Sequence, residues 1–258
     1  MSPSSVARTP SGRPLTDYPR PSIAVDTAVL TVPVDDGGSL SSAGALSSGS
    51  LSSGSLSSGS LQPSAPVADL RVLLVCRTVD DGHQWLLPGT FLHKGERLRD
   101  AVLRSLHDKA GIDGLSPRQL RVFDDPERDD RGWVVSVAHV DAVPWHRLAD
   151  AARAGGDGPA VQMRPVAEAV GLPFDHDAIV AHAVDVLRAD YREHPDPAAL
   201  LPEPFTLRRL QQLHEAVLGE RVAKDSFRRR MEPLLEPVGG LSTGSVGKPA
   251  RLFARREG

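Results

Sequence analysis

The sequence predicts an α+β domain that ends near residue 170, followed by a second, smaller unit with a winged helix-turn-helix layout. Three observations carry this prediction. Runs rich in β-branched residues at 22–34 and 70–77 alternate with a helical pattern at 96–110, which mixes strands and helices within one domain. The stretch HPDPAALLPEP, 194–204, then interrupts a long helical pattern with prolines and reads as a linker. Beyond it the charge changes sign: from Phe205 to Gly258 eleven Lys/Arg stand against six Asp/Glu, so this part carries +5 of a chain whose total is −3. The last quarter is therefore the part suited to a polyanion.

The totals bound what the protein can be. A chain of 258 residues with 40% hydrophobic residues can bury ordinary globular cores. No apolar run reaches the length needed to cross a bilayer, and the start, MSPSSVARTPSGRPLTDYPRPS, lacks the layout of a signal peptide. A cytoplasmic protein with no membrane partner is expected. The lone cysteine, Cys76, excludes a disulfide within the chain and is read as a small buried hydrophobe.

Taken in order, residues 1–20 are rich in Ser, Pro and Arg and are expected to be disordered. SIAVDTAVLTVPV, 22–34, and LRVLLVCR, 70–77, are strands, and the segment between them writes LSSGS three times from Leu46 to Ser60. A Ser/Gly-rich insert at 35–69 inside a β-hairpin is the economical reading, since loop-closure cost grows only with the logarithm of length. Gln84–Leu87 is a short strand, and Glu96–Ala110 a helix closed by Gly111. Leu120–Phe123 and Trp133–Val140 are strands joined by the charged loop DDPERDDRG, which is expected to be solvated, and Val161–Pro165 is a weaker strand. A helix over about 177–192 leads into the linker, so that residues 21–175 form the first domain, 176–204 the connection and 205–258 the second domain.

On the helix at 96–110, a spacing of 100° per residue puts Arg104, Ser105, Asp108 and Lys109 on one arc that faces the Pro88-Gly89 turn, a ligand-facing geometry in which Arg104, Asp108 and Lys109, with Thr90 of the turn, are expected to bind ligand. Trp85 and Phe91 bracket that turn, and their rings suit either stacking on a base or ribose or packing in the core. Arg77 and Arg104 suit either phosphate oxygens or structural ion pairs. His83, His93, His107 and His139 have no metal-ligand spacing, so ordinary surface or core roles are expected.

The C-terminal part reads as a nucleic-acid binder. Thr206 suits an N-cap and is expected among the DNA-contacting residues, Phe205 before it suits a staple on Leu210, and Leu207, Leu210, Leu213 and Val217 give one apolar face that Gly219 ends. In AKDSFRRRMEPLL, Phe227, Met231 and Leu234 fall on a core face. Ser226, Arg229 and Arg230 project oppositely, with Lys224 and Arg228 beside them. A helix, a short turn and a second helix with an arginine-rich outer face is a layout that enters a major groove. Two strand candidates around a Gly/Ser tip follow as a wing, whose Lys248 and Arg251 suit phosphates or a minor groove.

The stretch from Thr90 to Ile112 resembles the Nudix box, G-x5-E-x7-R-E-U-x-E-E-x-G-U, with Glu96, Arg104, Leu106, Gly111 and Ile112 in register. It departs at Thr90 for glycine, at Ser105 for the first helical glutamate and at Asp108-Lys109 for the Glu-Glu pair. In Nudix hydrolases those glutamates hold Mg²⁺ or Mn²⁺ against a diphosphate. The resemblance therefore implies no efficient metal-dependent hydrolysis here, and no cofactor beyond a weakly held Mg²⁺ at Glu96 and Asp108. Together with YPRPSIAVDTAVLTV, LRVLLVCR, QWLLPGTF, LRVFDDPERDDRGWVVSVAH, LPFDHDAIV and 205–255, the chain resembles the Nudix-related transcriptional regulators of the NrtR type. That resemblance implies a Nudix-like α/β/α sandwich with a mixed sheet, followed by a winged helix, and it implies that the loop at 124–132 lies near the mouth of the pocket. It also implies a small-molecule effector, ADP-ribose or a relative, and a double-stranded DNA operator of NAD-metabolism genes; a homodimer is expected because two-fold proteins match two half-sites on DNA. Thr90, where the family has PGGF, puts the identity of the ligand in question; some relatives sense sugars. The rival is a weak Nudix hydrolase with a basic appendage.

Overall fold

The computed structural model describes residues 14, 17–34, 69–79, 82–148, 160–241 and 250–256. Most of the expected N-terminal tail, the Ser/Gly insert at 35–68 and the wing tip with Lys248 lie outside the described residues.

Strand β1, Ser22–Thr31, is the centre of a seven-stranded mixed sheet. It runs parallel to β6, Val134–Ala142, on one side. On the other it runs antiparallel to β2, Arg71–Val79, and to β4, Gly89–Phe91. A strand covered on both faces reads as a near-continuous apolar run, which is why SIAVDTAVLT holds so few polar residues. The order is β3, Gly82–Leu86, then β2, β1, β6 and β5, Arg118–Phe123, with β7, Val161–Pro165, added on β2. The expected pairing of the first two strands is present at Leu30↔Val72 and Thr31↔Arg71. Cys76, expected to be buried, is half-buried.

The two faces of the sheet carry two layers of helix. Helix α1, Leu98–Ala110, covers one face, where Val25, Val29, Leu73 and Val75 pack with Val102 and Leu106. Helix α2, His176–Glu193, covers the other, where Ala28, Leu30, Val72 and Leu74 pack with Ile179, Val180 and Val184. The period-2 alternation of the strands sorts these residues, and each fully buried aliphatic contributes about 1.5–3 kcal/mol of transfer free energy. Helix α1 begins two residues later than the sequence pattern predicts. The Glu96 carboxylate turns back to accept the His93 N–H at 2.8 Å, which makes this segment a turn before the helix. Gly111, at φ 64°, ends it in the left-handed conformation that glycine adopts without strain.

The second unit is a three-stranded sheet, β8 (Phe205–Thr206), β10 (Arg251–Arg255) and β9 (Leu235–Leu241), packed on α3 (Leu207–Leu218) and α4 (Lys224–Met231). Phe227 and Met231 are buried as predicted, but Leu234 is 40% exposed. The helix stops at Met231 and continues as a tighter 3-10 turn holding Pro233; the changed period rotates Leu234 off the core stripe, and Leu235 is buried instead.

The stretch expected as a linker is packed. Asp196, fully buried, accepts the Tyr191 hydroxyl at 2.6 Å and the N–H groups of Leu200 and Leu201 at 2.8 and 2.9 Å, and pairs with Arg255 at 2.7 Å. A single buried cluster therefore runs from the sheet through Ile179, Leu187 and Tyr191 of α2 to Leu210, Phe227 and Phe253. Among the described residues no helix is long and apolar enough to cross a membrane.

Candidate functional site

A cleft of about 180 Å³ opens where β1, β4, the end of α1 and the start of α2 meet. An adjoining cleft of about 320 Å³ shares Arg77, Arg128, Arg131 and Phe174 with it, so the two together reach the usual size of a small-ligand site. The floor is built around Asp26, the one acidic residue of β1. Its buried carboxylate accepts the Ser136 hydroxyl at 2.6 Å and lies 3.3 Å from His176 Nε2 and 3.4 Å from an Arg128 nitrogen. His176 Nδ1 accepts the Leu87 N–H at 3.1 Å, which leaves Nε2 to carry the proton toward Asp26. Burial works to raise the Asp26 pKa, but the hydrogen bonds from His176 and Ser136 and the charge of Arg128 hold it below the usual range. Gly89 sits against this carboxylate. A Cβ there would lie 2.0 Å from Asp26 Oδ1 and 2.8 Å from the Val25 carbonyl, so only glycine fits.

The charged loop at 124–132, expected from its composition to be solvated and from the resemblance to lie near the pocket mouth, supplies one wall. Arg128 and Asp129 are buried because each finds a partner inside. The Arg128 guanidinium makes a bidentate contact with Asp175, one arm at 2.8 Å, and Asp129 holds Arg131 at 2.7 and 2.8 Å. Arg131 lies 5.4 Å from the centre of the Phe91 ring and 4.9 Å from that of Phe174. Phe174 takes φ 59°, a conformation that a bulky residue adopts only under strain from its surroundings.

Of the residues predicted for ligand binding, Arg77, Thr90, Phe91 and Lys109 line the cleft. Arg104 stands behind them, donating to both Glu96 oxygens at 2.8 and 2.9 Å, to Thr90 Oγ1 at 3.3 Å and to the Phe91 carbonyl at 3.1 Å. Trp85 is not part of the lining: strand alternation sends it to the other face of β3, where it packs against the core near Arg164. Asp108 is exposed on α1 outside the cleft, and Ser105, placed by its spacing on the polar arc, is buried where α1 meets the sheet. Sequence reasoning missed Asp26, Arg128, Asp129, Arg131, Phe174 and His176. The signal available was the lone carboxylate within an apolar strand, which has to be paired once buried.

These donors do not fit the divalent cation of a Nudix hydrolase. Hard cations need several carboxylate oxygens together. Here the Arg104 hydrogen bond and the His93 N–H take Glu96, whose pKa falls to about 2. Lys109 Nζ donates to the Gly89 carbonyl at the position of a metal-ligating glutamate. Among the described residues no three His, Cys, Asp or Glu gather as a metal site. A separate cleft of about 340 Å³ between β6, α2 and residues 197–199 has its polar groups already satisfied: Arg118 pairs with Asp190 at 2.9 Å, and Asp141 accepts the N–H groups of Ser116 and Ala142.

The second candidate surface is α4. Lys224, Ser226, Arg228, Arg229 and Arg230 are exposed around the buried Phe227, and Arg228 pairs with Glu232 at 2.6 Å. Thr206 Oγ1 accepts the Arg209 N–H at 3.3 Å, so its hydroxyl caps α3. Arg251 is exposed at the base of the wing, opposite Leu241. Between this surface and the cleft, His214 of α3 lies edge-on to Tyr191 of α2 at 5.1 Å and to Phe227 of α4 at 4.9 Å.

The chain matches two family models, the NUDIX domain over residues 64–184 and the NrtR DNA-binding winged helix domain over 197–254. The ADPR responsive transcriptional repressor NtrR of Acinetobacter baylyi is 28% identical over 218 residues, 83% of this chain and 74% of that protein. An ADP-ribose pyrophosphatase of Methanocaldococcus jannaschii is 31% identical over 94 residues, 36% of this chain and 53% of that protein. The crystal structure of Shewanella oneidensis NrtR complexed with a 27mer DNA matches with a TM-score of 0.65 at 28% identity, covering 91% of this chain and 93% of that one. The chain thus carries a NUDIX domain followed by an NrtR DNA-binding winged helix domain, and is similar over most of its length to the NrtR of Shewanella oneidensis.

Proposed function

We propose that the protein is a cytoplasmic, ADP-ribose-responsive transcriptional repressor of NAD-metabolism genes. It binds an operator as a homodimer through α4 and the wing, and binds ADP-ribose in the Nudix cleft without cleaving it at ordinary enzymatic rates. The observation that carries this reading is the placement of α2. Its first turn supplies His176 to the cleft, and its last turn supplies Tyr191 to a core shared with α3 and α4. A ligand that favours one placement of α2 therefore changes the affinity for DNA, and only by its differential affinity for the two placements. The related repressor of Acinetobacter baylyi, named for its response to ADPR, supports the effector, and the Shewanella oneidensis protein solved with DNA supports the operator. Two-fold pairing matches two half-sites on DNA, which supports the homodimer.

The test is binding of the purified protein to its own upstream DNA at fixed salt, titrated with ADP-ribose. Binding that ADP-ribose weakens is the expected result. DNA binding indifferent to ADP-ribose contradicts the effector, and no DNA binding contradicts the repressor. The relation to an ADP-ribose pyrophosphatase favours a hydrolase as the second reading. Metal-dependent turnover of ADP-ribose at about 1 s⁻¹ or faster would establish it.

A further inference from the structure

Two cations of the cleft, Arg77 and Lys109, form no ion pair with a carboxylate among the described residues. Arg128 is held by Asp175 and Asp26, and Arg131 by Asp129. Arg77 instead donates one guanidinium nitrogen to the neutral Gln84 amide oxygen at 2.6 Å, while its Nε is buried and meets no hydrogen-bond partner among the described residues. Lys109 donates to the Gly89 carbonyl, also neutral, which leaves further N–H donors for a ligand. Burial lowers the Lys109 pKa, Asp26 offsets this, and the charges of Arg77, Arg104 and Arg131 lower it again. An anion is what this cluster lacks.

Taking the ADP-ribose reading as its premise, we propose that Lys109 and Arg77 take the place of the divalent cation and receive the diphosphate directly, so that this cleft binds its ligand without metal. The position supports it: Lys109 occupies the last position of the Glu-Glu pair of the Nudix pattern and lines the same cleft as Arg77. A fixed ammonium delivers to a phosphate oxygen the positive charge that a bound metal supplies elsewhere. It also dispenses with the carboxylate cluster a metal needs, and that cluster is absent among the described residues.

The test is calorimetric titration of the full chain with ADP-ribose in EDTA and in excess Mg²⁺. The dissociation constants in the two buffers are expected to agree, and Lys109→Met is expected to weaken binding about tenfold or more in both. Inorganic pyrophosphate should compete with ADP-ribose on the unaltered chain and lose that ability in Lys109→Met. Binding that appears only with Mg²⁺ overturns the inference and leaves the ADP-ribose reading standing, as does a Lys109→Met variant that folds and binds unchanged. No binding in either buffer removes the effector reading and the inference with it. The EDTA and Mg²⁺ comparison needs no variant, so it decides the matter even if Lys109→Met does not fold.

Discussion

In the ligand cleft Arg128 is gripped by two carboxylates and Arg131 by one, whereas on α4 Arg229 and Arg230 stand exposed with no ion-pair partner among the described residues. Both regions are cationic, but the charges are prepared for different work. Fixing a guanidinium in advance removes rotamer freedom that ligand binding would otherwise have to remove, which suits the walls of a site that must recognise the shape of one small ligand. Exposed, solvated arginines suit a polyanion, whose affinity comes from counterion release and tolerates small errors of placement. The cleft is thus built on buried charge and is fragile to mutation. The DNA face is built on exposed charge and is tolerant.

The strongest test of that contrast is Arg128→Ala. It leaves Asp26 and Asp175 without their shared partner in a site where the Arg128 side chain is 3% exposed, and the expected loss of stability is about 3–5 kcal/mol in urea unfolding. A loss below about 1 kcal/mol, the range of surface ion pairs, would contradict the buried network.

Acid should come next in effect, acting on the joint between the regions. Burial, and then the charge of Arg230, pushes His214 down to about 3, so it is neutral in the folded protein, while the unfolded chain takes up a proton near 6.5. The unfolded state binds more protons between these values. Stability from this group is therefore complete above about pH 6.5 and falls as the pH drops toward 3. Unfolding measured over that range should be less acid-sensitive in His214→Phe than in the unaltered chain; equal slopes would place the titration elsewhere.

On the exposed side, Arg229→Ala is expected to weaken specific DNA binding by about 1–3 kcal/mol with little change in the melting temperature. Lys248→Ala should mainly reduce the salt slope, by about one, in a titration of binding against salt. An unchanged affinity in both variants would remove α4 and the wing as the DNA face. The smallest effect is Thr206→Ala, which removes the N-cap of α3 and should cost about 1 kcal/mol in thermal or urea unfolding.

The same contrast explains what the sequence made legible. The DNA face lies within one short helix, so the spacing of Phe227 and Met231 against the arginines displayed it directly, as the apolar alternation displayed the central strand. Leu234 was misplaced because a helical period was carried past the point where Pro233 tightens the turn. The cleft is drawn from β1, the ends of β2 and α1, the 124–132 loop and the start of α2, and no local pattern joins these. The charges of DDPERDDRG read as solvation because composition does not reveal that Arg128 meets Asp175, 47 residues later. Trp85 lay next to the right turn in sequence but on the wrong face of its strand.

The coupling proposed through α2 makes cleft and DNA face share one equilibrium. Linkage requires that the factor by which ADP-ribose weakens operator binding equal the factor by which operator weakens ADP-ribose binding. The measurement is the dissociation constant of ADP-ribose for the free protein and for the protein saturated with its upstream DNA. Weaker binding to the DNA complex is expected, by the same factor that ADP-ribose imposes on DNA binding; identical constants for the free and DNA-bound protein would rule out coupling through α2.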